Sequence, residues 1–166
     1  KAFCVQMGKV YRSGYGMHVS NGILYNHESP RRGENFVTQK IVRGAASIAQ
    51  GKTEFLELGN LDIERDWGYA PDYVLGMWMM LQQEQADDYI LATGKTHKLS
   101  DFLQLSFEYF GLDHQKHIRS NPKLVRPNEP VQLCGDSSKA QNILGWKPSL
   151  SFTELIHEMC EAVSQK

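Results

Sequence analysis

The 166-residue chain lacks any apolar run approaching the roughly 18 residues that a membrane-spanning helix needs, and no signal-peptide pattern opens it. Those absences lead us to expect a soluble, cytoplasmic protein that does not engage a membrane. It also lacks a charge of one sign. Lys and Arg number 18 against 19 acids, for a net charge of -1, so no global field draws nucleic acid and any anion site must be a local cluster of cations. Cysteine is scarce: Cys4, Cys134 and Cys160 are odd in number, far apart and without Cys-x-x-Cys spacing, which excludes a zinc or redox pair. They read as core thiols in a reducing compartment, and no metal site is expected. No Gly-x-Gly-x-x-Gly follows a strand-like run, so the chain carries no dinucleotide fingerprint of its own. There is no internal repeat and no low-complexity segment.

What is present suits one globular core, with 41% hydrophobic residues. The chain opens at Lys1 directly into helix-like composition, without an initiator Met or an N-cap, and we expect a fragment whose upstream half is absent. Phe3, Met7, Val10 and Tyr11 recur at helical spacing up to the Gly14-Tyr15-Gly16 break. A strand from about His18 to Tyr25 follows. Asn35 then caps a helix whose apolar face runs through Val37, Ile41, Ala45 and Ile48 to a stop near Gly51. Phe55 to Leu58 is a short strand, 59–68 a loop, Tyr73 to Leu81 a helix and Tyr89 to Ala92 a buried strand. Ser100 caps a helix that Gly111 terminates. Irregular chain leads to a short helix over 136–144, and Ser151 with Glu154 forms a capping box for a last helix over 152–163. Alternating strands and helices predict an α/β fold of parallel strands covered by helices, with a smaller helical lobe in the later part. The stripe Tyr73, Met77, Trp78, Met80 and Leu81 reads as core or subunit packing rather than a cofactor box, and Trp146 likewise as packing.

The most informative run is Asn21-Gly22-Ile23-Leu24-Tyr25-Asn26-His27-Glu28-Ser29-Pro30-Arg31-Arg32-Gly33. Apolar residues break abruptly there into a polar, doubly cationic loop, as at the carboxyl end of a strand that borders a ligand crevice. Arg pairs suit phosphate because the guanidinium forms bidentate, charge-assisted hydrogen bonds with oxyanions. A solvated surface turn is the competing reading.

This run, together with Phe36-Val37-Thr38-Gln39-Lys40-Ile41, Gly59-Asn60-Leu61-Asp62-x-x-Arg65-Asp66-Trp67-Gly68, Ala92-Thr93-Gly94, Arg126-Pro127-Asn128-Glu129 and Leu144-Gly145-Trp146-Lys147-Pro148, resembles the GDP-mannose 4,6-dehydratase family of extended short-chain dehydrogenase/reductases. The resemblance covers nearly the whole chain. It implies the C-terminal part of a Rossmann-type parallel sheet plus a smaller, mainly helical substrate-binding lobe, the glycine-rich cofactor-binding half lying upstream. It further implies a GDP-sugar substrate, tightly bound NADP and a homodimer or homotetramer. In such enzymes hydride passes from C4 of mannose to NADP, a glutamate removes the C5 proton, water leaves from C6 and the hydride returns to C6.

By the same resemblance Lys1 falls on the lysine of a Tyr-x-x-x-Lys motif, which lowers the tyrosine pKa and bonds the nicotinamide ribose. His27 and Arg32 match contacts to NADP, while Asn26, Val37, Lys40, Arg65 and Arg126 match contacts to the sugar nucleotide. Glu129 would bond a ribose hydroxyl or hold Arg126, and Glu28 would orient the arginines. For Arg65 the rival is a salt bridge to Asp66; for His27 it is a neutral imidazole satisfied inside its loop; for Lys40 it is a solvated lysine. Charged hydrogen bonds are worth roughly 1.5–3 kcal/mol each, so two or three cations supply much of the ~8 kcal/mol of a micromolar complex. Gln39, Asn128 and Pro130 depart from the family pattern without removing a proposed ligand. The alternatives are another sugar-nucleotide epimerase or dehydratase, and a non-catalytic module that binds a phosphorylated partner.

Overall fold

A computed structural model describes residues 1–125 and 128–165. Helix α1 (Ala2–Tyr15) ends at Gly16, whose φ of 64° is a left-handed cap that glycine adopts without strain. Its apolar residues are not core: Phe3, Val10, Tyr11 and Tyr15 are exposed, and only Gly8 is buried. A Cβ on Gly8 would lie 2.7 Å from the Asn21 amide, so α1 crosses tightly over the segment that follows.

The expected strand 18–25 is shorter and later, and the extended run changes partner partway. Strand β1 (Gly22–Leu24) pairs in parallel with β6 (Tyr89–Leu91), and Tyr25 N still donates to Leu91 O at 3.0 Å. From Asn26 the chain becomes β2 (Asn26–Glu28) and pairs in parallel with β5 (Trp67–Tyr69). Such a change of partner opens a crevice beyond the strand ends. Strand β3 (Leu56–Leu58) pairs in parallel with β8 (Ile118–Ser120). Strand β4 (Glu64–Arg65) runs between antiparallel β7 (His97–Lys98) and parallel β9 (Gln132–Leu133). Two corrections follow. The 59–68 segment is not simply a loop, because it contains β4 and leads into β5, and one pairing is antiparallel. Strands of only two or three residues leave too little alternation for sequence periodicity to register.

Helix α2 (Val37–Ala49) is capped by the extended backbone of Phe36 without a side-chain hydrogen bond, so Asn35 is not its cap. In α4 (Leu99–Tyr109) Ser100 already lies inside the helix; Asp101 Oδ2 instead accepts from Lys98 N at 3.4 Å. The Ser151/Glu154 capping box of α6 (Phe152–Ser164) is present as expected.

Two cores organise the chain. Ile41 and Val42 of α2, Phe102 and Phe107 of α4, and Ile156 and Met159 of α6 pack together with Leu58 and Trp67. Each such side chain contributes roughly 1.5–3 kcal/mol by leaving water. The second core joins β1 and β6 to α3 (Ala70–Leu81) and α5 (Ser138–Leu144) through Tyr73, Leu91 and Trp146. Trp146 Nε1 donates to Asp72 O at 2.6 Å, confirming its packing role. Of the α3 stripe, Tyr73 and Met80 are buried, whereas Met77, Trp78 and Leu81 are exposed. The thiols divide in the same way: Cys160 is core, but Cys4 and Cys134 are exposed, because α1 and the segment beyond β9 lie at the surface. Among the described residues no helix is long and apolar enough to cross a membrane.

Candidate functional site

A cleft of about 330 Å³ lies where β2, the start of α2 and β4 meet Leu124 and Glu129. Asn26, Arg32, Val37, Lys40, Arg65 and Glu129 all line it. These are six of the nine residues singled out from the sequence, although they are scattered over more than 100 positions. Lys1 stands exposed at the start of α1, outside this cleft; His27 also lies outside it, half-buried against Tyr73 at 5.3 Å between ring centroids. Arg126 lies outside the described residues.

Each element brings its residue in for a local reason. Asn26 opens β2 just past the change of strand partner. The extended Phe36 backbone starts α2 so that Val37 and Lys40 share the helix face toward the cleft. Lys40 Nζ donates to Glu57 O at 2.7 Å, so it is tethered rather than a freely solvated lysine. Arg65 is buried on β4; its Nη1 donates to Glu64 O at 2.7 Å and its Nη2 to Glu129 Oε1 at 2.9 Å. The expected rival, an Arg65–Asp66 salt bridge, is not formed. Asp66 is fully buried and accepts instead from Thr93 N, Thr93 Oγ1, Gly94 N and Gly135 N, pinning β4 and β5 to the end of β6. Glu129 therefore serves Arg65.

The lining described in the structure carries three cations, Arg32, Lys40 and Arg65, against one carboxylate, Glu129. That is a local anion-binding field inside a chain of net charge -1. Arg32 lies with its guanidinium carbon 3.6 Å over the Phe36 ring and its Nε 3.3 Å from Glu28 Oε2, a charge contact without hydrogen-bond alignment. His27 Nδ1 is 2.8 Å from Tyr25 O. A carbonyl only accepts, so Nδ1 donates to it and Nε2 is left without a use inside the loop. The loop thus satisfies one ring nitrogen and leaves the other to a ligand group.

The sequence reading did not single out Asn35, Phe36, Asn60 and Leu124 as site residues, yet they line the cleft. Asn60 belongs to a quoted motif, but its Oδ1 accepting from Asp62 N at 2.9 Å is an ordinary turn signature that carries no ligand signal. A larger groove of about 850 Å³ lies beyond Trp67, lined by Thr93, Lys95, His97, Asp101, Lys147 and Phe152 among others. It contains none of the nine candidate site residues.

The fold is similar to that of RMD from Pseudomonas aeruginosa complexed with NADPH, at a TM-score of 0.84 and 20% identity over 99% of this chain and 52% of that one. It is equally close to dTDP-glucose 4,6-dehydratase from Bacillus anthracis in complex with NAD, at a TM-score of 0.83 and 15% identity over 97% and 49%. These likenesses show a Rossmann-type fold. The family described as GDP-mannose 4,6 dehydratase matches residues 1–159, and the chain belongs to that family. Among curated relatives it is 50% identical over 151 residues to GDP-mannose 4,6 dehydratase 1 of Arabidopsis thaliana, covering 91% of this chain and 42% of the relative. It is 47% identical over 169 residues to the Drosophila melanogaster enzyme, covering 92% and 43%, and 43% identical over 169 residues to the Homo sapiens enzyme, covering 92% and 45%. The chain thus spans somewhat under half the length of these relatives.

Proposed function

We propose that this chain is the sugar-nucleotide-binding part of a GDP-mannose 4,6-dehydratase, a lyase that converts GDP-mannose to GDP-4-keto-6-deoxymannose. The observation that carries this reading is the convergence of Asn26, Arg32, Val37, Lys40, Arg65 and Glu129 on one cationic cleft. Arg65 and Lys40 neutralise the diphosphate, and the Glu129 contact holds Arg65 extended toward it. Asn26 supplies a short amide to a sugar or ribose hydroxyl, and Val37 gives the apolar side of the cleft. Arg126 is a further phosphate ligand in this reading.

NADP, when bound, would supply the reversible hydride acceptor for oxidation at C4 and reduction at C6 of the sugar. Two features of this chain fit such a group. Arg32 makes no side-chain hydrogen bond among the described residues, its buried Nε included, and His27 uses Nδ1 on Tyr25 O, which leaves Nε2 for a ligand. Arg32 holds a cofactor phosphate, His27 contacts the cofactor through Nε2, and Lys1 holds the nicotinamide ribose in this reading. Residues 1–166 form the end of the cofactor-binding sheet interleaved with the substrate lobe. An assembly of two or four copies is supported by the exposed apolar faces of α1 and α3, and a cytoplasmic setting by three free cysteines.

Saturation-transfer NMR with GDP-, UDP- and dTDP-sugars tests the reading on the chain itself. GDP-mannose is expected to show the strongest transfer, with competition by GDP. Preferential transfer to a UDP- or dTDP-sugar would overturn the substrate assignment in favour of another member of the superfamily.

A further inference from the structure

Glu28 is 1% exposed at the end of β2, a position where an ionised carboxylate is costly without partners. Its Oε2 accepts from Thr38 Oγ1 at 2.6 Å and lies 3.3 Å from Arg32 Nε. Arg32 is simultaneously stacked on Phe36, 3.6 Å from the ring centroid, and its guanidinium borders the cleft. Two contacts therefore orient the guanidinium, the Phe36 face and the Glu28 carboxylate, while Arg32 N donating to Ser29 O at 2.9 Å fixes the main chain that carries it. The stack and the carboxylate engage the carbon and Nε. Both Nη groups find no hydrogen-bond partner among the described residues and remain for a bidentate oxyanion. An unanchored arginine would lose several rotatable bonds on binding, and a mounted one has lost them on folding.

We propose that Glu28, held by Thr38, is a positioning residue that presets Arg32 for an anionic oxygen ligand of the cleft. This inference rests on the reading of the cleft as a phosphate-bearing ligand site. Stability alone does not account for the arrangement, since burial pushes the Glu28 carboxyl up from its ordinary range despite the opposing pull of Thr38, then Arg32, then His27. The other titratable group facing it is Tyr73 of α3, whose hydroxyl is itself pushed up by burial and by Asp66, Asp72 and Glu28. The anion is a diphosphate of the sugar nucleotide or a phosphate of the dinucleotide, and the two are separable by experiment.

Calorimetric titration of the 166-residue chain with GDP-mannose and, separately, with NADP decides the matter. Glu28→Gln keeps volume and removes charge. It is expected to weaken one of the two ligands about tenfold near pH 7.5, the size of one misplaced charged hydrogen bond. Arg32→Ala should weaken the same ligand at least as much, and the double variant no further than Arg32→Ala alone. The ratio of variant to wild-type affinity, in which the ligand's own ionisation cancels, should approach one as pH falls through the Glu28 titration. Unchanged affinity for both ligands in Glu28→Gln, additive losses in the double variant, or a pH-independent ratio would each overturn the inference while leaving the cleft assignment intact. Wild-type chain that binds neither ligand would sink the cleft assignment and the inference with it. Should Glu28→Gln unfold by circular dichroism, Thr38→Val decides by the same criteria, with a smaller loss expected and unchanged affinity for both ligands counting against the proposal.

Discussion

Arg65 donates to Glu129 across 2.9 Å, joining β4 to a segment 64 residues further along the chain at the edge of the cleft. The pair is mostly buried, and Arg65 also donates to Glu64 O and Val131 O, so its guanidinium is oriented before any ligand arrives. Removing it by Arg65→Ala is expected to weaken GDP-mannose binding by roughly 10- to 100-fold, the equivalent of one lost charged hydrogen bond or slightly more. Titration calorimetry checks this; an affinity within a factor of two of wild type would remove Arg65 from the site.

The buried Glu28 carboxylate has a consequence for stability as well as binding. Its folded-state pKa is raised, chiefly by desolvation, so the protonated form is the one the fold favours. The stabilising effect of that proton is full below the ordinary carboxylate pKa and is lost as pH rises through the raised value. Glu28→Gln, which is always neutral, should therefore be less sensitive to this rise than wild type. Urea unfolding between pH 4 and 8 is expected to show the variant gaining on wild type as pH increases. A gap that is constant over this range would contradict the burial argument.

Gln39 is fully buried on α2, and neither atom of its amide has a hydrogen-bond partner among the described residues. An unsatisfied buried polar group costs about 1–3 kcal/mol. Gln39→Met keeps the length and removes the polar atoms, so it should raise the unfolding free energy by about 1 kcal/mol. Chemical denaturation measures it directly, and a loss of stability would mean that the amide is satisfied in solution.

The three thiols should separate by reactivity. Cys160 is buried beside Ser106, and burial pushes its thiol up to about 12, whereas Cys4 and Cys134 are exposed. Titration with a thiol reagent near pH 8 should modify two sites quickly and the third only on unfolding. Mass mapping that finds Cys160 modified in the folded chain would show that α6 opens far more readily than its packing implies.

Much of the fold was legible because its signals are local. The Ser151/Glu154 box, the Gly16 and Gly111 ends, and the periodicity of α2 and α4 depend on residues within a few positions of one another. Asn35 and Ser100 were misread as caps because their residue type suits a cap, while the helices start at Phe36 and Lys98 through extended backbone. The strands within 59–69 escaped because two or three residues show no period, and the Asp66 network escaped because its donors lie 27 to 69 positions away.

The sequence by itself determined the order of the helices with strands β1, β3 and β6 between them, the local crowding of cations after β1, and, through its ordered motifs, the residues worth following. Tertiary structure alone decided that Arg65 meets Glu129 rather than Asp66, that Glu28 sits under Arg32 against Thr38, and that His27 turns to Tyr73 outside the cleft. Caps and periodicity follow from backbone geometry over one or two turns. The partner of a buried charge depends on which distant segment packs against it and what burial leaves unsatisfied, and that emerges only when α2, β4, Leu124 and Glu129 close around the same space.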